Sequence, residues 1–266
     1  MSLLQLDASE LVDRQELERH VRMVYGDVAE DPLTARHFET GRPLAARLGY
    51  PDELLEATPY RALHSFAGVG YHLDLAELQP GDSVLDLGSG SGTDVFAASV
   101  GVGRRGWVVG VDFTDGQLGV ATALAQQHGI TNVRFVKASV DRLPFGDASF
   151  DVVISNGVVN LSPVKHLVFA EAARVLKPGG RLAISDLAST TPLRETTRRD
   201  TELWASCIAG AIPATDYVDA LVAAGFEITG RRVNDYRFLT RRALDAARTY
   251  GVESLSIAAR RQGETP

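Results

Sequence analysis

The sequence predicts an α/β protein: a doubly wound, mostly parallel sheet of seven strands with helices on both faces, preceded by a helical N-terminal lid. Three observations predict it. From Ser83 onward, short runs rich in Val, Ile and Leu alternate with longer helical stretches, the pattern of repeated strand–helix units. The first of these runs breaks into glycines at alternate positions, Val84-Leu85-Asp86-Leu87-Gly88-Ser89-Gly90-Ser91-Gly92, where a helix then begins. The first eighty residues contain no parallel-sheet sequence, so they read as a helical appendage over a cleft.

In order, residues 8–25 place Leu11, Leu17, Val21 and Val24 among charges, an amphipathic helix that Gly26 should end. Residues 31–48 read as more helix, broken at Gly41 and Pro43, and 51–55 as a short helix. Residues 65–70 form a glycine-bearing loop, 73–78 a further helix, and Pro80-Gly81 the turn that launches the central strand. Strands follow at 83–87, 107–111, 133–136, 150–155, 181–185, 227–233 and 254–258. Helices are expected from 93, and over 117–128, 164–176, 193–209 and 216–224, with Gly129 and Gly225 as stops and Lys177-Pro178-Gly179-Gly180 as a turn. A division at residues 1–79 and 80–266 follows.

The glycine stretch reads as a strand, a tight turn and a helix start built for a ligand. Glycine lets the backbone be approached closely and tolerates positive φ, and helix-start amides favour an anionic group. Twenty residues after Gly92, a second strand ends in Asp112, an acid placed to accept hydrogen bonds from a ribose. A dinucleotide turn would need glycine where Thr93 stands.

Composition narrows the partners. A net charge of −7 over 266 residues argues against a nucleic-acid backbone, because phosphate binding needs a dense basic face, and Arg198-Arg199, Arg231-Arg232 and Arg241-Arg242 are short pairs, not a run. No window approaches the ~18 unbroken apolar residues of a membrane span, and residues 1–10 carry no secretory pattern. A single cysteine, Cys207, excludes an intrachain disulfide and a multi-cysteine metal site. A cytoplasmic setting and no metal are expected.

With Val109-Gly110-Val111-Asp112, Leu143-Pro144-Phe145 and Arg174-Val175-Leu176-Lys177-Pro178-Gly179-Gly180 added to the glycine stretch, the chain resembles the class I S-adenosylmethionine-dependent methyltransferases, which have a Rossmann-like fold. Ile154-Ser155-Asn156-Gly157-Val158-Val159-Asn160-Leu161, Ser185-Asp186, the 203–211 segment around Trp204 and Cys207, and the loop 65–70 resemble the arsenite methyltransferase branch. The resemblance implies S-adenosyl-L-methionine as cofactor and a small-molecule methyl acceptor. It assigns cofactor contacts to Asp86, Gly88, Ser89, Gly90, Gly92, Asp112, Phe113, Ser139, Val140 and Asn156. Ser139 stands where many members carry an acid toward the adenine amino group.

The branch holds trivalent arsenic on several cysteine thiolates, as a soft centre requires. Here Cys207 matches one such position, whereas Gly157 occupies another. The expected activity is therefore methyl transfer to a small molecule, with two alternatives: arsenite methylation through Cys207 and external thiols such as glutathione, or cofactor binding without methyl transfer. A nicotinamide-dependent dehydrogenase is a further rival.

Several residues carry two readings. Asp112 either grips the ribose or caps the helix before Thr114. Asn156 either lines the cleft or makes a turn. Cys207 is a ligand, a nucleophile or a small core hydrophobe. His37, His64 and His72 are general-base candidates or packing residues. Tyr25 either packs on the cofactor or makes ordinary helix packing, Tyr71 and His72 stand where the branch usually has a polar turn, which implies a rebuilt acceptor pocket, and Asp186 either faces the acceptor or caps a helix. The catalytic candidates are Cys207, His72 and Asn156; a sulfonium is already a good leaving group, so no universal catalytic dyad is required.

Overall fold

The computed structural model describes residues 7–30, 38–205 and 207–263. Seven strands form the main path of one sheet in the order β3-β2-β1-β4-β5-β8-β7. They are β1 (Ser83–Leu87), β2 (Trp107–Asp112), β3 (Val133–Lys137), β4 (Phe150–Asn156), β5 (Leu176–Ser189), β7 (Phe226–Asn234) and β8 (Glu253–Arg261), and the two-residue β6 (Ile212–Pro213) pairs beside β5. β1, β2, β3, β4 and β5 pair in parallel, whereas β8 lies antiparallel between β5 and β7. Every residue of β1 is buried, which its apolar composition anticipates for a central strand covered on both faces.

Among the described residues four helices precede the sheet: α1 (Arg14–Glu30), α2 (Gly41–Leu48), α3 (Asp52–Ala57) and α4 (Tyr60–His64). Between and after the strands come α5 (Thr93–Val102), α6 (Asp115–Gln127), a 3-10 turn (Val159–Leu161), α7 (Lys165–Val175), α8 (Glu195–Arg198), α9 (Thr201–Ala205), α10 (Ala214–Ala223) and α11 (Arg241–Tyr250). One core joins α7, α10 and one sheet face through Phe169, Val175, Leu221, Leu182 and Ile257. The other face is covered by α2, α3 and α5, where Leu44, Leu48, Leu55 and Val95 meet Val84, Val152 and Ile154. Part of the N-terminal segment is thus a core layer, while α1 lies over the carboxyl edge of the strands.

Several boundaries differ from the sequence reading. α1 starts later and runs through Gly26, whose position is open on the side where a Cβ would stand, so only propensity opposes the helix there. Residues 31–37 lie outside the described residues. Residues 73–78 form turns, not a helix, because Glu77 takes a left-handed φ of 49°. The Lys177–Gly180 turn is a bulge inside β5: pairing jumps from Phe150 opposite Leu176 to Val152 opposite Arg181. The single helix expected over 193–209 is two short ones, and Cys207 lies beyond them at φ 58°, outside any helix. α11 was not anticipated, although Thr240 caps it by accepting from the Ala243 N–H and Gly251 closes it at φ 61°.

Candidate active site

The chain runs from β1 outward to β2 and β3, then returns to place β4 on the other side of β1. Such a reversal opens a crevice at the carboxyl ends of the strands, where open α/β sheets take their ligands. A cavity of about 330 Å³ lies there, walled by the glycine turn, the ends of β2 and β4, residues 137–141, α1 and the loop 65–68.

Gly88 and Ser89 both donate their N–H to the Val111 carbonyl, at 2.8 and 2.9 Å, folding the turn back on β2. Gly88, Gly90 and Gly92 have φ of 76°, 52° and 93°, in the region that favours glycine. A Cβ at Gly88 would collide with Val158, and one at Gly92 would come within 2.9 Å of Phe96 and Phe135. Only at Gly90 is there room, with Gln117 Oε1 the nearest group at 3.8 Å. The ligand-clearing role assigned to all three glycines therefore narrows to Gly90, while protein packing constrains the other two. Ser89 is buried in the cavity wall and its hydroxyl has no partner among the described residues.

Three carboxylates border this turn. Asp86 is 2% exposed and no described residue donates to its side chain; burial, with Asp94 and Asp112 nearby, pushes its carboxyl well above the usual range. Asp112 accepts from the Gly90 N–H at 3.0 Å and the Thr114 N–H at 2.8 Å, so it serves as a cap while also facing the cavity. Burial raises its pKa against those two bonds. Asp94 accepts from Tyr50 Oη and, at 3.1 Å, from Asn156 Nδ2.

Asn156 lines the cavity, but its polar atoms are committed to the neighbouring loop. Its Oδ1 accepts from the Val69 and Gly70 N–H groups at 2.8 and 3.2 Å, and its Nδ2 also reaches the Gly70 carbonyl at 2.9 Å. A Cβ at Gly68 would stand 2.5 Å from this side chain, so the loop and the end of β4 fit only with glycine there. At the opposite end, Ser139 Oγ donates to Asp141 at 2.5 Å, and Arg14 of α1 pairs with the same Asp141 carboxylate at 2.8 Å. Val140 lines the wall, and Phe113 carries the Arg22 guanidinium 5.1 Å from its ring centroid.

Two catalytic candidates lie elsewhere. Cys207 is buried outside the cavity wall, its thiol donating to the Gly157 carbonyl at 3.2 Å, and burial pushes its pKa far up. His72 is fully buried with both ring nitrogens unpartnered among the described residues, and burial lowers its pKa. It does not reach the cavity. His64 stacks on Tyr60, and His37 falls outside the described residues. Tyr71 packs on Tyr50 at 4.7 Å and faces a separate groove, whereas Tyr25 does line the cavity. Asp186 is buried and accepts from the N–H groups of Asn160 and Leu187.

Sequence reasoning missed Arg14, Tyr50, Asp94 and Asp141. Asp94, directly after the last glycine and Thr93, could have been read as a first-turn acid. Arg14 and Tyr50 carry no local signal, since their partners are distant in sequence.

The cavity suits a nucleoside bearing an amino acid. For an ammonium it offers a buried acid that no described residue donates to, with an acid held by two amides beside the turn and open backbone at Gly90. No group of His, Cys, Asp and Glu capable of holding a metal occurs among the described residues, and no described helix is long and apolar enough to cross a membrane.

The family described as a methyltransferase domain matches residues 78–241. An arsenite methyltransferase of Halobacterium salinarum is 43% identical over 160 residues, covering 60% of this chain and 41% of the relative. A human arsenite methyltransferase is 35% identical over 214 residues, covering 74% and 54%. The solved structure of an arsenic(III) S-adenosylmethionine methyltransferase from Chlamydomonas reinhardtii superposes with a TM-score of 0.63 at 31% identity, covering 84% of this chain and 74% of that one. The chain spans about half the length of the curated relatives it matches.

Proposed function

The chain belongs to the methyltransferase domain family and resembles its arsenite branch, and from that premise we propose that it transfers the methyl group of S-adenosyl-L-methionine to a small-molecule acceptor. The observation that carries this reading is Asp86: a buried carboxylate without a donor among the described residues, beside a glycine turn, at the edge of an open cavity. When bound, the cofactor supplies an electrophilic methyl group on a sulfonium.

The chain's own residues would hold it. Asp86 would pair with the ammonium, and Asp112, oriented by Gly90 and Thr114, would accept from the ribose hydroxyls. Gly88, Ser89, Gly90 and Gly92 would border the amino-acid part, with Phe113, Ser139 and Val140 toward the base. Asn156 acts here as a clasp for the loop 65–70. Leu17, Val21, Phe66, Val158 and Leu161 add an apolar part to the wall, which would exclude water and align an acceptor without a dedicated base. A division into an N-terminal covering segment through residue 79 and a transferase part from residue 80 belongs to the same proposal, as does a cytoplasmic setting, which the single cysteine supports.

Calorimetric titration with S-adenosylmethionine, S-adenosylhomocysteine and NAD tests it. Binding of the two sulfur nucleosides is expected; binding of NAD alone would refute the reading.

Arsenite is the second reading, favoured by one observation: Cys207 touches the backbone of Gly157, so two positions that carry thiolates in the branch are neighbours here. Against it, Cys207 is buried behind the wall as a protonated thiol, and a soft three-coordinate centre needs more than one thiolate. Incubation with arsenite and glutathione decides: methylated arsenicals establish it, while S-adenosylhomocysteine formed only with other acceptors removes it.

A further inference from the structure

Lys165 opens α7 and is 2% exposed, yet no described carboxylate comes within ion-pair distance of its ammonium. Its Nζ donates to the carbonyls of Ser162 at 3.0 Å and Asn160 at 3.5 Å, and sits 5.0 Å over the Trp204 ring. From the other side, Asp186, 3% exposed, accepts from the Asn160 N–H at 3.0 Å. The two peptide groups of Asn160 are thus gripped by opposite charges. Gly210 backs the same residue, since any Cβ there would collide with the Asn160 carbonyl.

Burying both groups is costly. Lys165 is brought down to about 7 and Asp186 up to about 6, burial being the main cause for each; Tyr25, Arg198, Cys207 and Tyr217 are the other titratable groups around them. What they hold is the turn 157–163. Gly157, Val158, Leu161, Ser162 and Pro163 line the cavity, and Val158 packs against Gly88, the first glycine of the binding turn. Pro163 also accepts from the Ala8 N–H at 2.7 Å, which ties the approach to α1 into the same turn.

We propose that Lys165 is a positioning residue for the cofactor: by fixing the Asn160 and Ser162 carbonyls it seats Val158 behind Gly88 and so shapes the amino-acid end of the binding site. The inference rests on the S-adenosylmethionine reading above. Its test compares two probes by calorimetry, S-adenosylhomocysteine and 5′-methylthioadenosine, which shares the nucleoside but lacks the amino-acid part.

Lys165→Met should weaken S-adenosylhomocysteine binding about tenfold or more while moving 5′-methylthioadenosine by less than about threefold. Asp186→Asn, which keeps the shape, should shift the same ratio in the same direction by about threefold, and it decides the matter should Lys165→Met fail to fold by circular dichroism. Equal losses for both probes would reduce Lys165 to a structural role and overturn the proposal, as would unchanged affinity for both. A wild-type protein that binds neither probe overturns the cofactor reading itself, an outcome distinct from failure of the positioning role alone.

Discussion

The glycine turn and the wall that faces it are built by different means. The turn is nearly self-contained: residues 86–94 plus one neighbouring strand supply its acids, its left-handed glycines and the carbonyl of Val111 that folds it back. The facing wall is assembled from α1, the loop 65–70 and the turn 157–163. Its bonds join residues distant in sequence: Arg14 with Asp141, Asn156 with Val69 and Gly70, Cys207 with Gly157. The turn can be written locally, whereas the wall that faces it depends on how the whole chain packs. That contrast orders the expected effects of substitution.

The local half should be the more fragile. Gly88→Ala places a methyl group into Val158 at a positive φ, and should cost about 3 kcal/mol of stability and about a hundredfold in S-adenosylhomocysteine affinity, read by thermal melting and calorimetry. Asp112→Ala frees the amides of Gly90 and Thr114 and should weaken the same binding by about 10- to 100-fold. A loss below threefold would place the ribose elsewhere.

Acidification sharpens the comparison further. Asp86 has its folded pKa raised, so in the free protein its ionisation opposes folding as pH rises above its unfolded value, and acid relieves that strain. An ammonium ligand needs the ionised form, so S-adenosylhomocysteine affinity should fall as pH drops from 8 toward 5, by at most about tenfold per unit. Asp86→Asn should bind weakly with a flatter profile; an unchanged slope would assign the titration to another group. The smallest effect is expected from the assembled wall: Arg14→Ala breaks an ion pair whose arginine is exposed, and should change affinity by about two- to fivefold, less at high salt. A larger loss would make α1 part of the recognition surface proper.

The same contrast explains what could be read in advance. The central strands, the glycine turn and Asp112 were legible because strand periodicity and turn chemistry act over a few residues. Cys207 was misplaced onto a helix because nothing local announces its left-handed backbone, which follows from packing between Trp204 and Gly157. Asn156 was legible as a cleft residue, but its clasp on the loop 65–70 needs both partners in view. α11 was missed despite its cap and terminal glycine, since Ala243, Ala247 and Tyr250 make a thin buried stripe among arginines.

The position of β8 bears on how this chain comes to be made. It pairs with β5 on one side and β7 on the other, yet it is the last in sequence of the described strands. Until residues 253–261 leave the ribosome, two strand edges stand open with their amides and carbonyls unmatched, and a nascent chain in that state invites wrong partners. β8 therefore works as a keystone: without residues 253–261 the glycine turn would be mounted on a sheet split between β5 and β7.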